Sequence, residues 1–277
     1  MQRGMKKWLL FLLLPALLLW ACVGQKDDPE PEPEPEPEPV VVPEEPAEGS
    51  RFFQRVLALE FTATWCQYCP NMADAIVEAQ SARPGRVIEL AIHYQDELEA
   101  PESAAIVTDY KVSSFPAVVL DWNLSSKFTQ QQSARIVSYV DALLEKDIEA
   151  PGVALKSVVE EGVMTVTTSM KAVADGTFSL VTALVEDGVT VAFQAGAGNN
   201  YTCNSVFRCF IGSGREGVKS PALKAGEEFI TAFTMEAPEP AGRMRLVAWV
   251  LQEGKALNVA SASVNSEIKY TYEEETD

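Results

Sequence analysis

The chain has 277 residues, of which 47% are hydrophobic, and its formal net charge at pH 7 is −18. Acidic residues outnumber basic ones by 40 to 22, which argues against a nucleic-acid partner and against charge-driven binding to anionic lipid. The hydrophobic content supports well-formed cores, and the part after Ser50 is long enough for two domains of ordinary size.

A secretory signal peptide is predicted for residues 1–21. Lys6 and Lys7 belong to a basic head, and the apolar run from Trp8 to Trp20 follows it. This run is shorter than the roughly 20 residues that a membrane-spanning helix needs, and a small residue then precedes Cys22, as at a cleavage site. The alternative is an uncleaved membrane anchor in which Cys22 is an ordinary thiol.

The end of this segment, Leu19-Trp20-Ala21-Cys22, resembles a bacterial lipobox. The resemblance implies that Cys22 is lipidated, for example with palmitate, and that the membrane is a partner of the mature protein. The next residues, Gln25–Asp28, resemble the surface-export signal of Bacteroidetes-type lipoproteins. We therefore expect a lipoprotein of the outer membrane that faces outward.

Residues 22–50 are predicted to form an acidic linker rich in proline and glutamate. Between Val23 and Ser50 ten carboxylates stand against one lysine, so this segment carries −9 of the net charge. Alternating proline and glutamate cannot build a core and favours an extended polyproline II backbone. At about 3.1 Å per residue, the roughly 20 residues from Pro29 would reach on the order of 60 Å. The linker is therefore expected to hold the folded part away from the membrane.

Strands alternate with helices in residues 51–150, which predicts an α/β domain whose sheet is covered on both faces. The expected strands are Arg55–Phe61, Arg86–Tyr94 and Ser113–Asp121, and the expected helices are Met72–Ala82, Glu102–Tyr110 and Ser133–Ala150.

The pattern changes after Pro151, and residues 151–277 are predicted to form an all-β domain of the immunoglobulin-sandwich type, because short strands of period two follow one another without helices. Turn signals at Glu161-Gly162 and Asp187-Gly188 predict two hairpins. Three further strands are expected to begin near Phe229, Met244 and Ala256.

Cys66 and Cys69 lie where the first strand should lead into the first helix. The positive end of a helix dipole and its unpaired N–H groups favour a thiolate there, and two intervening residues allow the second sulfur to reach the first. The pair could therefore exchange a disulfide with another protein. A zinc site is disfavoured because the chain has one histidine, His93, and no second CxxC pair. We expect neither a metal nor another cofactor, and a structural role for His93.

The segment LALEFTATWCQYCP, residues 57–70, resembles the active-site segment of thioredoxin-fold oxidoreductases. Glu60 falls where that superfamily often has a buried carboxylate beneath the second cysteine, and Phe115-Pro116 resembles its cis-proline loop. The resemblance implies that Cys66 is the exposed nucleophile and Cys69 the resolving thiol. It also implies that Glu60 accepts the proton of Cys69 and that Pro116 shapes the substrate groove.

The order of stalk, thioredoxin-like domain and β-sandwich resembles the Bacteroidetes-type outer-membrane lipoprotein family named for its twenty-eight-kilodalton member. Residues 200–218, NYTCNSVFRCFIGSGREGV, are similar to the C-terminal signature of that family. The resemblance implies an architecture and a location more than an activity.

A second disulfide, between Cys203 and Cys209, is left open by the sequence. An exported chain permits disulfides. However, six residues of straight strand span about 20 Å, and the Cα atoms of a disulfide lie within about 7 Å. The pair can form only if Asn204-Ser205 turns the chain.

Two functions fit these observations. The first is an envelope thiol–disulfide oxidoreductase that uses the CxxC pair. The second is a non-catalytic surface lipoprotein that binds a partner and uses the thioredoxin fold as a scaffold. The fold by itself does not distinguish them, and the sequence does not identify the substrate or redox-partner proteins.

Overall fold

The structure, a computed structural model, describes residues 50–146 and 148–273. The predicted signal peptide, the lipidation site Cys22 and the linker before Ser50 lie outside the described residues and remain predictions. In the described ranges, no helix combines the length and the apolar character needed to cross a membrane.

The first part of the chain alternates strands and helices, as the hydrophobic pattern predicts. Its elements are β1 (Val56–Thr62), α1 (Cys69–Ala82), β2 (Val87–His93), α2 (Ser103–Asp109), β3 (Ala117–Leu120), β4 (Lys127–Thr129) and α3 (Ile136–Leu144). The last helix is shorter than predicted at both ends, since a 3-10 segment, Gln130–Arg135, precedes it and it ends at Leu144. Strand β1 is buried over its whole length, as expected for a strand covered on both faces.

The central strand β1 is parallel to β2 and antiparallel to β3, and β3 pairs with β4. Helices α1 and α3 cover one face of this sheet, where Met72 and Ile76 pack with Val118 and Val140. On the other face, α2 contributes only part of the cover, through Ile106 and its neighbours. The remainder comes from strands of the second part of the chain.

The second part of the chain is largely β-strand. Its strands are β5 (Gly152–Glu160), β6 (Val163–Lys171), β7 (Ser179–Glu186), β8 (Val189–Gln194), β9 (Gly198–Cys203), β10 (Val206–Ile211), β11 (Val218–Lys219), β12 (Glu228–Glu236), β13 (Met244–Gln252), β14 (Lys255–Ser263) and β15 (Glu267–Ile268). The predicted hairpin of β5 and β6 is formed, with Glu161 and Gly162 at positive φ angles of 49° and 79°, as a tight hairpin turn requires.

Both parts of the chain contribute to one sheet, with the strand order β14-β13-β7-β10-β2-β1-β3-β4. Strand β10 meets β2 where Val206 lies opposite Ala91. One hydrophobic cluster joins Phe61 of β1 to Val181 of β7 and Trp249 of β13. The change near Ala150 from alternating strands and helices to strands alone therefore lies within one compact unit. A second sheet, in the order β12-β6-β5-β15, packs on β7, β13 and β14 through a separate cluster.

The hairpin predicted around Asp187-Gly188 is not formed. Strand β7 pairs with β10 and β13, whereas β8 and β9 form a separate two-stranded sheet. The carboxylate of Asp187 accepts hydrogen bonds from the Arg245 side chain (2.8 Å) and the Ser205 backbone N–H (2.8 Å). These bonds tie the end of β7 to its neighbours, and the chain leaves the sheet at Gly188. We call the β8–β9 unit, residues 189–203, the covering hairpin.

Candidate functional site

The two cysteines of the CxxC motif lie between the end of β1 and the first turn of α1, as the sequence predicts. They form a disulfide with their Cα atoms 5.4 Å apart. The N–H of Cys66 donates to the carbonyl of Ala63 (3.1 Å), and the N–H of Cys69 donates to the carbonyl of Cys66 (3.4 Å). Pro70 stands in the first turn of α1, where a missing N–H leaves no intrahelical bond unmade.

The structure corrects the expectation that Cys66 is exposed. In this oxidised form the relative accessibility of Cys66 is 4% and that of Cys69 is 2%. Both pack with Ala63 and Phe115. The exposed part of the motif is Trp65, at 49%, together with the two residues between the cysteines.

The loop that precedes β3 lies beside the disulfide, as predicted. The Phe115–Pro116 peptide bond is cis, and Pro116 is buried. The ring of Phe115 stacks on Tyr94 with centroids 5.6 Å apart and meets the edge of Trp65 at 5.4 Å. The indole N–H of Trp65 donates to the carbonyl of Tyr94 (3.0 Å). These three rings form one wall of the site.

The covering hairpin forms the opposite wall, and sequence reasoning missed it. The side-chain amide of buried Gln194 donates to the carbonyls of Cys66 (3.1 Å) and Ala63 (3.2 Å). Gly196 has a φ of +85°, and a Cβ there would lie 2.0 Å from the carbonyl oxygen of Gln67. The glycines of this turn were a visible turn signal, but no local pattern shows what the turn packs against.

A cavity of about 470 Å³ lies beside the disulfide, between β1, β2, α1 and the covering hairpin. Cys69 lines it together with the carboxyl groups of Glu60 and Glu89. Glu60 lies opposite Ala91 in the β1–β2 register, and Ala91 is two residues from Glu89, so both acids project from the same face of the sheet. Glu60 is 3% exposed and Glu89 is 8% exposed.

Both carboxyl groups have raised pKa values. Burial raises the pKa of Glu60 well above its usual range, and the charge of Glu89 raises it further. Burial raises the pKa of Glu89 to about 7, against the opposing effects of the Ser205 hydroxyl and the Arg245 charge. The Oε1 atom of Glu60 has no hydrogen-bond partner among the described residues. The cavity next to Cys69 therefore contains two acids that can hold protons near neutral pH.

His93 has the structural role that the sequence predicts. Its Nδ1 lies 2.7 Å from the carboxylate of Asp96, and that carboxylate also accepts from the N–H of Thr64 at 2.7 Å. Burial would raise the pKa of Asp96, but the bonds from His93 and Thr64 lower it overall. The pair therefore anchors the start of the cysteine segment. Within residues 50–146 and 148–273, no three acid, histidine or cysteine side chains are grouped so that they could hold a metal.

The disulfide between Cys203 and Cys209 that the sequence left open is not formed. Both thiols are free. Cys203 ends β9 and packs with Leu98 and Val191, whereas Cys209 lies on β10 opposite Leu184 and packs against another cluster. The chain does turn at Asn204-Ser205, but β9 and β10 then enter different sheets, which separates the two sulfurs.

Comparisons with known proteins agree with this geometry. Residues 49–142 match the family model of thioredoxin. Among solved structures, HBP35 of Porphyromonas gingivalis superposes with a TM-score of 0.65 and 18% identity, over 82% of this chain and 79% of that chain. Protein AGR_C_4864 from Agrobacterium tumefaciens superposes with a TM-score of 0.52 and 14% identity, over 79% and 97% of the two chains.

At these identities the structural matches show a shared fold and no more. No curated protein sequence is significantly similar to the chain. The chain therefore contains a thioredoxin domain with a Cys66–Cys69 pair, followed by a part that is largely β-strand.

Proposed function

We propose that the protein is a thiol–disulfide oxidoreductase of the cell envelope that acts through Cys66 and Cys69. The observation that carries the proposal is the position of this disulfide at the N-terminus of α1, with Cys69 lining the cavity that holds Glu60. A helix N-terminus stabilises a thiolate, and a buried acid nearby can take up or return a proton during exchange.

In the reducing direction, the Cys66 thiolate attacks one sulfur of a substrate disulfide and releases the other sulfur as a thiolate. Cys69 then loses its proton and attacks Cys66, which forms the disulfide present in the structure and releases the second substrate thiol. The substrate gains two electrons and the Cys66–Cys69 pair loses two. An external dithiol must restore the reduced pair, and the opposite direction needs an oxidant of the same class.

The contribution of each cysteine can be tested separately. Cys66→Ala should abolish exchange, whereas Cys69→Ala should accumulate mixed disulfides through Cys66 that a non-reducing gel resolves. In the reduced protein, Cys66 should be alkylated at lower pH than Cys69, because Cys69 lines the cavity that contains the buried acids Glu60 and Glu89, which disfavour a thiolate there. Equal and slow alkylation of both thiols would contradict the proposal.

The alternative is a surface binding protein in which Cys66–Cys69 is a structural disulfide. The burial of both cysteines and the contacts of Gln194 with this segment favour it. The reduction potential of the pair separates the two functions. A value below about −300 mV is typical of structural disulfides and would support the binding protein, whereas a higher value supports exchange.

We further propose that the protein is an outer-membrane lipoprotein anchored through Cys22 and exposed at the cell surface. The basic head, the short apolar run and the lipobox-like sequence support the anchor. If this is correct, Cys22→Ser should abolish lipid labelling. Replacement of Lys26, Asp27 and Asp28 by alanine should protect the protein from external protease, and unchanged cleavage would exclude this segment as an export signal.

We also propose that the second part of the chain is a sandwich of the immunoglobulin type. The packing of the sheet containing β5 and β6 on β7, β13 and β14 supports it.

A further inference from the structure

Glu89 lines the same cavity as Glu60 and Cys69, but it takes no part in the exchange steps proposed above. It lies on β2, next to the strand that carries Glu60, and both side chains project from one face of the sheet. A polar cavity of about 470 Å³ has room for water molecules that can connect such groups. Such waters would give a proton a path between Cys69, Glu60 and Glu89.

The two acids differ in how well the protein stabilises their negative charge. One oxygen of Glu60 has no hydrogen-bond partner among the described residues. Glu89 lies near the Ser205 hydroxyl and the Arg245 guanidinium, and that guanidinium bonds the Ser205 hydroxyl (3.1 Å) and the Asp187 carboxylate (2.8 Å). The negative charge is therefore more stable on Glu89 than on Glu60.

This difference creates a difficulty for Glu60 as the sole base. Burial and the charge of Glu89 raise the pKa of Glu60 and so favour its protonated form, which is a poor direct acceptor for the proton of Cys69. Glu89, with a pKa of about 7, is partly ionised under the same conditions. Glu89 lies opposite Ala58, two residues before Glu60 on β1, so the acid that can take up the proton is farther than Glu60 from the end of β1 that leads to the cysteines.

We propose that Glu89 is the final acceptor of the proton that Cys69 loses, and that Glu60 passes this proton on. The inference rests on the proposed oxidoreductase function. When Cys69 gives its proton to Glu60, Glu60 gives its own proton to Glu89, so one proton leaves sulfur and one carboxylate becomes neutral. The Cys69 thiolate then forms the bond to Cys66, and the bond from Cys66 to the substrate sulfur breaks. The substrate leaves as a thiolate, which takes a proton from solvent.

Several titratable or charged groups face this acid pair from the surrounding elements. They are Cys69 and Asp74 of α1, His93 of β2, Asp187 after β7, Tyr201 and Cys203 of β9, and Arg245 of β13. Burial, with nearby acids, raises the pKa values of Tyr201 and Cys203 to about 12, which removes both from the neutral range. Asp187 is ionised at neutral pH because its bonds with Arg245 outweigh its burial and lower its pKa. His93 is bonded to Asp96 and lines the same cavity, so the assignment of a titration near pH 7 to Glu89 rests on its displacement in a Glu89 variant.

The resolving step can be isolated with dithiobis-nitrobenzoate as the probe. The reduced protein should release one nitrothiobenzoate when Cys66 reacts and a second when Cys69 displaces the mixed disulfide. The rate of the second release, measured against pH, should rise through about pH 7 in the wild type. In Glu89→Gln this rise should move by about one pH unit or more to higher pH, which is about a fivefold or greater loss of rate at pH 7. Ser205→Ala, which keeps the carboxyl but removes a stabilising hydroxyl, should move it in the same direction by less.

Glu78→Gln is the matched control, because it removes the same charge from an exposed position of α1 outside the cavity, and its profile should equal that of the wild type. An unchanged profile in Glu89→Gln would overturn the proposal. A shift to lower pH would also overturn it, since Glu89 would then act only by repelling charge on Glu60. If the wild type itself released no second nitrothiobenzoate, the proposed function would fail rather than the relay alone.

Discussion

Gln194 joins the covering hairpin to the cysteine segment, and Gln194→Ala tests whether this contact stabilises the site. The two N–H bonds of its amide serve three carbonyl acceptors at 3.1–3.2 Å, those of Cys66, Ala63 and Ala195. The carbonyls of Cys66 and Ala63 each keep a second donor, the N–H groups of Cys69 and Cys66 respectively. Neither is therefore left without a partner when the amide is removed.

The expected loss of stability follows from these contacts. Two neutral hydrogen bonds contribute about 0.5–1.5 kcal/mol each, and the buried methylene that alanine lacks contributes about 0.8 kcal/mol. Gln194→Ala should therefore lower the free energy of unfolding by about 2–4 kcal/mol. Thr190→Ala, at an exposed position of the same strand, is the control and should change it by less than about 0.5 kcal/mol.

Urea denaturation of the oxidised protein measures this loss directly. A second measurement is the rate at which dithiothreitol reduces Cys66–Cys69 under native conditions, which should increase when the hairpin is loosened. A stability change as small as that of Thr190→Ala would refute the assigned contribution of the amide. A large loss of stability with an unchanged reduction rate would show that the hairpin does not restrict access to the disulfide.

Two further predictions concern the same region. Gly196→Ala should destabilise the protein more than Gly198→Ala, because both glycines have positive φ but only Gly196 approaches another backbone, at Gln67. A strained φ alone costs about 1–3 kcal/mol. Equal losses of stability in urea denaturation would contradict the packing of the covering hairpin on Gln67. The raised pKa of Glu89 gives stability that is present below the usual glutamate pKa and lost as pH rises through about 7. The wild type should thus lose about 3 kcal/mol more than Glu89→Gln between about pH 4.5 and 8, and parallel pH profiles of unfolding would exclude this.

The features that the sequence predicted correctly are local ones. The buried strand β1, the cysteine pair at the start of α1 and the tight turn at Glu161-Gly162 each follow from a few neighbouring residues. The burial of Glu60 was implied by the resemblance of residues 57–70 to thioredoxin-fold sequences, and the apolar residues around it agree with that implication. Such signals do not depend on the rest of the fold, because backbone propensity and side-chain direction act over one turn or one strand.

The sequence did not predict which distant segments contact one another, because these contacts depend on the tertiary structure. The chain does turn after Asp187, but β7 pairs with β10 and β13 whereas β8 pairs with β9, so the strands on either side of Gly188 belong to different sheets. The alternating pattern on both sides of Gly188 predicts two strands, but it does not show which strand each of them pairs with.

The chemical surroundings of the cysteine pair depend on the same long-range packing. Glu60 and Glu89 are 29 positions apart in the chain and become neighbours through the register of β1 and β2. The covering hairpin comes from more than a hundred residues later and closes the cavity that raises their pKa values. The sequence by itself thus determined that Cys66 and Cys69 lie between the first strand and the first helix, although the helix begins at Cys69, three residues before the predicted Met72. The burial of that pair and the protonation of the acids beside it were determined only by the folded structure, because desolvation depends on all the segments that meet at the site.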